Sequence, residues 1–147
     1  MEIIDKLKCL YDGDTKNAYA ALRELEALSE HENILYPYVD KFIAMLKNEK
    51  YVVRVRGFRL LCKQAKWDRD NKINKAIDDI LHAVHDEKPT AVRQVLQYLE
   101  FIVSYKKELH AEIKQAVLSI DCSRFKDSMR PLITKDITHL LQLIDKK

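Results

Sequence analysis

A chain of 147 residues suits one domain with a real core, and 26 Lys+Arg against 23 Asp+Glu leave a net charge of only +3. Two glycines (Gly13, Gly57) and three prolines (Pro37, Pro89, Pro131) are too few for a many-stranded β fold, which turns about every eight to twelve residues. They also exclude glycine-rich phosphate cradles, and neither GxxxxGK[ST] nor GxGxxG occurs.

The class is therefore all-α. The start, MEIIDKLK, is acidic and amphipathic, unlike a signal peptide. No apolar run approaches the roughly eighteen residues of a membrane span. The three cysteines (Cys9, Cys62, Cys122) are odd in number and widely spaced, which points to reduced thiols. The expectation is a complete, soluble, cytoplasmic chain.

In chain order, residues 1–12 form an N-terminal capping helix with Ile3, Leu7, Leu10 and Tyr11 on one face. Asp12-Gly13-Asp14 stops it and offers an N-cap to the next helix. An apolar pattern of 0, +4, +7, +8, +11 then recurs. It fits Leu35, Val39, Phe42, Ile43 and Leu46, and again Ile73, Ile77, Ile80, Leu81 and Val84. Further copies are Leu109, Ile113, Ala116, Val117 and Ile120, then Ile133, Ile137, Leu140, Leu141 and Ile144. Between these B helices lie A helices with their own register. Ala18, Ala21, Leu25 and Leu28 map, 37 residues on, to Val55, Phe58, Cys62 and Ala65, and then to Val92, Val95, Leu99 and Ile102.

Such repetition predicts a single domain, 1–147, with paired-helix repeats at roughly 14–47, 48–85 and 86–121 and a truncated one at 122–147. Residues 122–129 leave room for about two helical turns. Pro89 and Pro131 suit first helical turns, and Asn71 is a candidate cap for the second B helix. The alternation Val53-Arg54-Val55-Arg56 is too short to outweigh the helical stripe, so 50–66 reads as helix. One pair cannot hide its apolar face, whereas stacked pairs share a core.

A paired-helix repeat of about 37 residues resembles the HEAT family of α-solenoids, and Asp86 to Leu99 (DEKPTAVRQVLQYL) resembles that family's Asp, Pro, Val-Arg entry to an A helix. The resemblance covers nearly all of 14–144. Two departures stand out: Val92-Arg93 follows Pro89 one residue late, and Tyr51 replaces the proline of the second repeat. The resemblance implies a right-handed α-α superhelix of about three and a half hairpins behind the cap, with B helices lining a concave side. It implies no particular activity.

Charge is uneven. Residues 1–46 hold five Lys/Arg against nine Asp/Glu, while 47–72 hold nine against three. Arg56, Arg59, Lys63 and Lys66 fall within an arc of about 80° on one helix face; Arg54 falls in the apolar stripe and needs a partner. Two readings compete for these four. As a polyanion ridge they would grip nucleic-acid phosphates, and DNA-alkylation-repair glycosylases, which resemble HEAT solenoids, hold duplex DNA by its backbone. As a solvated ladder they would pair with neighbouring helices, Lys63 lying level with Glu26 and Glu100. The A helices belong on the convex side, which favours the ladder.

By register the B helices expose Asp40, Lys41, Asp78, Asp79, Lys114, Gln115, Thr138 and His139, with Lys75 and His82 nearby. These mixed charges suit a protein or peptide partner better than a polyanion. The leading expectation is a non-enzymatic protein-interaction module or small scaffold using that face, with no membrane and no cofactor. No catalytic or metal constellation emerges. Some HEAT proteins bind iron through repeated His-Glu pairs, but His31-Glu32, His82 and His85-Asp86 fall short of a convergent ligand set. Cys62 lies on the core stripe. Trp67 with Asp68 is the nearest match to a glycosylase's aromatic and acidic pair.

Overall fold

The computed structural model describes residues 2–146, and among them every regular element is helical. The α-helices are α1 (Ile3–Cys9), α2 (Thr15–His31), α3 (Val39–Met45), α4 (Tyr51–Lys63), α5 (Lys72–Lys75), α6 (Ile77–His82), α7 (Pro89–Tyr105), α8 (His110–Leu118) and α9 (Arg130–Lys146). Short 3₁₀ turns occupy Tyr36–Tyr38, Ala65–Trp67, Ala83–His85, Lys107–Leu109 and Cys122–Arg124. Among the described residues no helix is long and apolar enough to cross a membrane.

Local chemistry explains several boundaries. The Asp14 carboxylate accepts hydrogen bonds from the N–H groups of Lys16 (3.0 Å) and Asn17 (3.4 Å), capping α2. Pro89 opens α7, where its missing N–H has no intrahelical partner to lose. The segment 50–66 is α4 followed by a 3₁₀ turn, so the Val/Arg alternation there is helical.

Three longer helices, α2, α4 and α7, pack side by side; α1 closes against α2, and α3 lies on α4. A second row of shorter helices, α3, α5/α6 and α8, is tied together by polar links. One apolar cluster runs from Leu7 through Phe42, Phe58, Leu99 and Ile113 to Ile144. Gly57 sets the spacing of α3 on α4: a Cβ there would lie 2.5 Å from the Met45 Cβ and 3.1 Å from the Phe42 carbonyl oxygen. Only a residue without a side chain lets these backbones approach so closely.

Three expectations change. The second B helix is not continuous: α5 and α6 meet at Ala76, and a 3₁₀ turn follows. Asn71 sits at the N-cap position of α5 in the left-handed conformation (φ 55°) but donates no cap. The Asp68 carboxylate performs that task, accepting the N–H groups of Lys72 and Ile73 at 2.9 Å each.

The third change concerns the C-terminal end. Residues 122–129 contain one 3₁₀ turn instead of two helical turns. α9 lies chiefly along α7 and only secondarily along α8, burying Ile133, Leu140 and Ile144.

Candidate functional site

The four ridge cations are engaged within the chain. Arg56 is buried, and its Nη1 donates to the carbonyl oxygens of Leu10 (2.9 Å) and Asp12 (3.2 Å). It thus fastens the turn after α1 to α4. Arg59 makes a two-pronged pair with Glu26 of α2 (3.0 and 2.8 Å) and a third bond to Gln94 of α7. Its guanidinium also stacks 4.7 Å from the Tyr98 ring centroid. Burial, and then the Glu26 carboxylate, push the Tyr98 phenol pKa upward.

Lys63 pairs with Glu30 at 3.0 Å and lies over the Phe101 ring. Lys66 is exposed, donates to the Glu30 carbonyl and lies over the Trp67 ring. The expected partners of Lys63 were Glu26 and Glu100. Instead Lys63 reaches Glu30, 33 residues away, as Arg59 reaches Glu26 at the same separation. The polyanion ridge would need four free cations, and among these four only Lys66 is exposed.

A second polar network is deeper. Asp68, beside Trp67, sits where the chain turns from α4 to α5. Its carboxylate is fully buried and pairs with Lys106 Nζ at 3.1 Å, the lysine being 6% exposed. The Tyr36 hydroxyl donates to it at 2.7 Å, and Lys106 also reaches Asn71 Oδ1 at 3.0 Å. Burial opposes ionisation of Asp68. Hydrogen bonds from Tyr36, the Ile73 N–H, Lys106 and the Lys72 N–H outweigh it and hold the carboxyl below its usual range. Burial, then the bond to Asp68, raise the Tyr36 phenol to about 12. Trp67 Nε1 donates to the Ser29 carbonyl at 2.7 Å. Trp67 therefore staples its turn to α2, while Asp68 staples it to the turns holding Tyr36 and Lys106. Neither Tyr36 nor Lys106 stood out in the sequence, since each sits in a loop with no periodic signal.

The ten residues expected on the shared B-helix face are all exposed. Eight of them, Asp40, Lys41, Lys75, Asp78, Asp79, His82, Lys114 and Gln115, lie on the second row. Its links are peripheral: Lys72–Asp40 at 3.0 Å, Lys47–Asp79 at 3.8 Å, and Asn74 to Glu108 at 2.9 Å. Lys114 meets Asp145 of α9 at 3.6 Å, and Lys41 lies over the Tyr11 ring. Lys75, Asp78 and His82 form no ion pair among the described residues. Thr138 and His139 depart from the expected row. His139 stands 3.9 Å from Glu100 of α7, because α9 covers α7 instead of extending the line of α3, α6 and α8.

Between α3 and α6 the second row opens. A cleft of about 490 Å³ forms there, reaching α4 and α7 at its base. Leu46, Val55, Phe58, Ala83 and Val95 supply its apolar surface. Lys47, Asn48, Asp79, His82, His85 and Glu87 stand around it. In its wall Arg54 finds the partner its position demanded: Nε and Nη2 donate to Asp86 at 2.9 and 3.2 Å, and Nη1 to the carbonyls of Asn48 and Glu49. The Asp86 bond, the largest influence, raises the Arg54 pKa. A smaller hollow of about 320 Å³ lies at the C-terminal ends of α2, α4 and α7, between Lys63, Lys66, Phe101 and Tyr105.

His82 and His85 have ring centroids 6.3 Å apart, and His85 lies 3.3 Å from the Ser119 hydroxyl. Among the described residues no three His, Cys, Asp or Glu side chains are placed to hold a metal ion. Burial raises the Cys62 thiol pKa well above its ordinary value, which disfavours the nucleophilic thiolate. No family model, curated protein or solved structure matches the chain.

Proposed function

We propose that this protein is a short HEAT-like α-solenoid, a right-handed superhelix of about three and a half hairpins behind α1, and that it serves as a non-enzymatic protein-interaction module or small scaffold. The row of α3, α5/α6 and α8 is its concave face, and a protein or peptide partner docks there. Three free cysteines suit a reducing compartment such as the cytoplasm.

One observation carries this reading: the two helix rows use their charges differently. The cations of α4 are engaged by carboxylates, carbonyls and rings of their own chain. The second row keeps mixed-sign side chains at its surface beside the cleft between α3 and α6. Mixed charge around an apolar recess matches protein recognition, where a desolvated centre is ringed by polar groups. A nucleic-acid reading would need several uncommitted cations along one line, and of the four candidates only Lys66 is exposed.

The test is capture of partners from the native host by the tagged protein. A specific partner should be retained by the unaltered chain and lost on Asp78→Lys with Asp79→Lys. Equal retention by both would overturn the choice of face. Tight, salt-sensitive duplex-DNA binding abolished by Lys66→Glu would restore the nucleic-acid reading.

A further inference from the structure

The cleft between α3 and α6 carries a sharper statement about what docks. Its base is apolar, with Phe58 and Val95 almost fully buried beneath it. Of the cations near it, Arg54, Arg124 and Lys88 meet other groups of the chain, while Lys47, 75% exposed, stands at the mouth beside Asp79. Arg54 is neutralised by Asp86, itself only 8% exposed. Arg124 donates to the Asp86 carbonyl at 2.9 Å and stacks on Phe125, and Lys88 lies over the Tyr51 ring. The anions at the mouth are not so held. Glu87 has no ion-pair partner among the described residues, and Asp79 meets Lys47 only across 3.8 Å with both side chains at least half exposed.

A ligand suited to this site has a carbon stem for the base and a positive head for Asp79 and Glu87. Lysine and arginine side chains combine those parts, burying a methylene stem while the charge stays at the polar edge. We propose that the cleft receives an arginine or lysine side chain from an exposed basic segment of a partner protein. Displacing the long Lys47–Asp79 contact forfeits little, since both side chains are at least half exposed. The volume, about 490 Å³, lies within the range of pockets that enclose small ligands. This inference rests on the protein-interaction reading and narrows it to one cleft and one partner chemistry.

The experiment is a titration of the isotope-labelled full chain with three acetylated peptides, followed by two-dimensional amide NMR. The first probe is GSRLRSG; the second replaces both arginines with norleucine, keeping a stem without the charge; the third replaces them with glutamate. The arginine peptide should shift the amides of Lys47, Val55, His82 and Glu87, with weaker binding by the norleucine peptide and none by the glutamate peptide. Asp79→Lys with Glu87→Lys, both on the surface, should weaken the arginine peptide about fivefold or more. Asp40→Lys, elsewhere on the same row, should leave its affinity within about twofold. Ala83→Trp, which fills the cleft, should abolish the shifts, its fold verified by the unchanged remainder of the spectrum.

Shifts that avoid the cleft, equal binding of the arginine and glutamate peptides, or undiminished affinity in the Asp79/Glu87 variant would each overturn the proposal. The broader reading fails differently. A captured partner that is lost on Asp78→Lys with Asp79→Lys yet kept by Ala83→Trp preserves the face and removes the cleft. Capture unaffected by either variant removes both.

Discussion

The seam between α2, α4 and α7 and the edge of the α3–α5/α6–α8 row both carry charges of both signs, yet they hold them in opposite ways. Along the seam, Arg59 and Glu26 are only 13% and 10% exposed and meet through two parallel bonds. Beneath the turns, Lys106 and Asp68 are buried outright. Along the edge, Lys47 and Asp79 are mostly in water and 3.8 Å apart. The same residue types thus serve cohesion where water is excluded and stay available for exchange where it is not. Low local dielectric and fixed geometry strengthen the first set, while solvent and side-chain entropy weaken the second.

Breaking the buried network should have the largest effect. Lys106→Met leaves the Asp68 carboxylate buried without its cation, and loss of one member of such a pair removes about 3–5 kcal/mol. Urea unfolding at neutral pH measures it. The same network sets an acid limit. The Asp68 pKa is depressed in the folded chain, so its contribution is complete above the unfolded value of about 3.9 and is lost as pH falls through the folded value. Unfolding free energy should therefore drop below about pH 4, and Asp68→Asn should be less stable at neutral pH with a flatter acid decline.

Next in size is Gly57→Ala. Helix propensity alone would favour alanine by about 1 kcal/mol. The added methyl instead meets Met45 and the Phe42 carbonyl, so a net loss of about 1–3 kcal/mol is expected, read from the thermal midpoint. A double-mutant cycle on Arg59 and Glu26 should then give a coupling of about 1–3 kcal/mol. The parallel cycle on Lys72 and Asp40, whose side chains are 32% and 77% exposed, should give no more than about 0.5 kcal/mol. Similar couplings at the two sites would dissolve the distinction between seam and edge.

Much of the helical framework was legible in the sequence because burial is periodic. The stripes Val55, Phe58, Cys62, Ala65 and Val92, Val95, Leu99, Ile102 are all buried, and the Asp14 cap and Pro89 start follow from local chemistry. Periodicity does not reveal which residue of a neighbouring helix a long side chain reaches: Lys63 meets Glu30 instead of Glu26. Nor does it reveal the route of a terminal helix. The stripe of α9 shows that one face is buried, yet α7 and α8 both offer apolar cover.

The candidate site was half visible. Asp79 and His82 could be placed on an exposed face by register, and Arg54 of α4 stood out as needing a partner, but Lys47, Asp86 and Glu87 lie outside the helices. The Asp68–Lys106–Tyr36 hub escaped entirely, since its members lie 32 and 38 residues apart in three separate turns.

The most direct test of the division between seam and edge is urea unfolding of two charge-reversed chains, Arg59→Glu with Lys63→Glu and Asp78→Lys with Asp79→Lys. The first should lose at least about 2 kcal/mol, because Glu26, only 10% exposed, would face a new carboxylate in a water-poor seam. The second should stay within about 0.5 kcal/mol of the unaltered chain. Equal losses, or a seam variant as stable as the original, would contradict the assignment of the seam to structure and the edge to recognition.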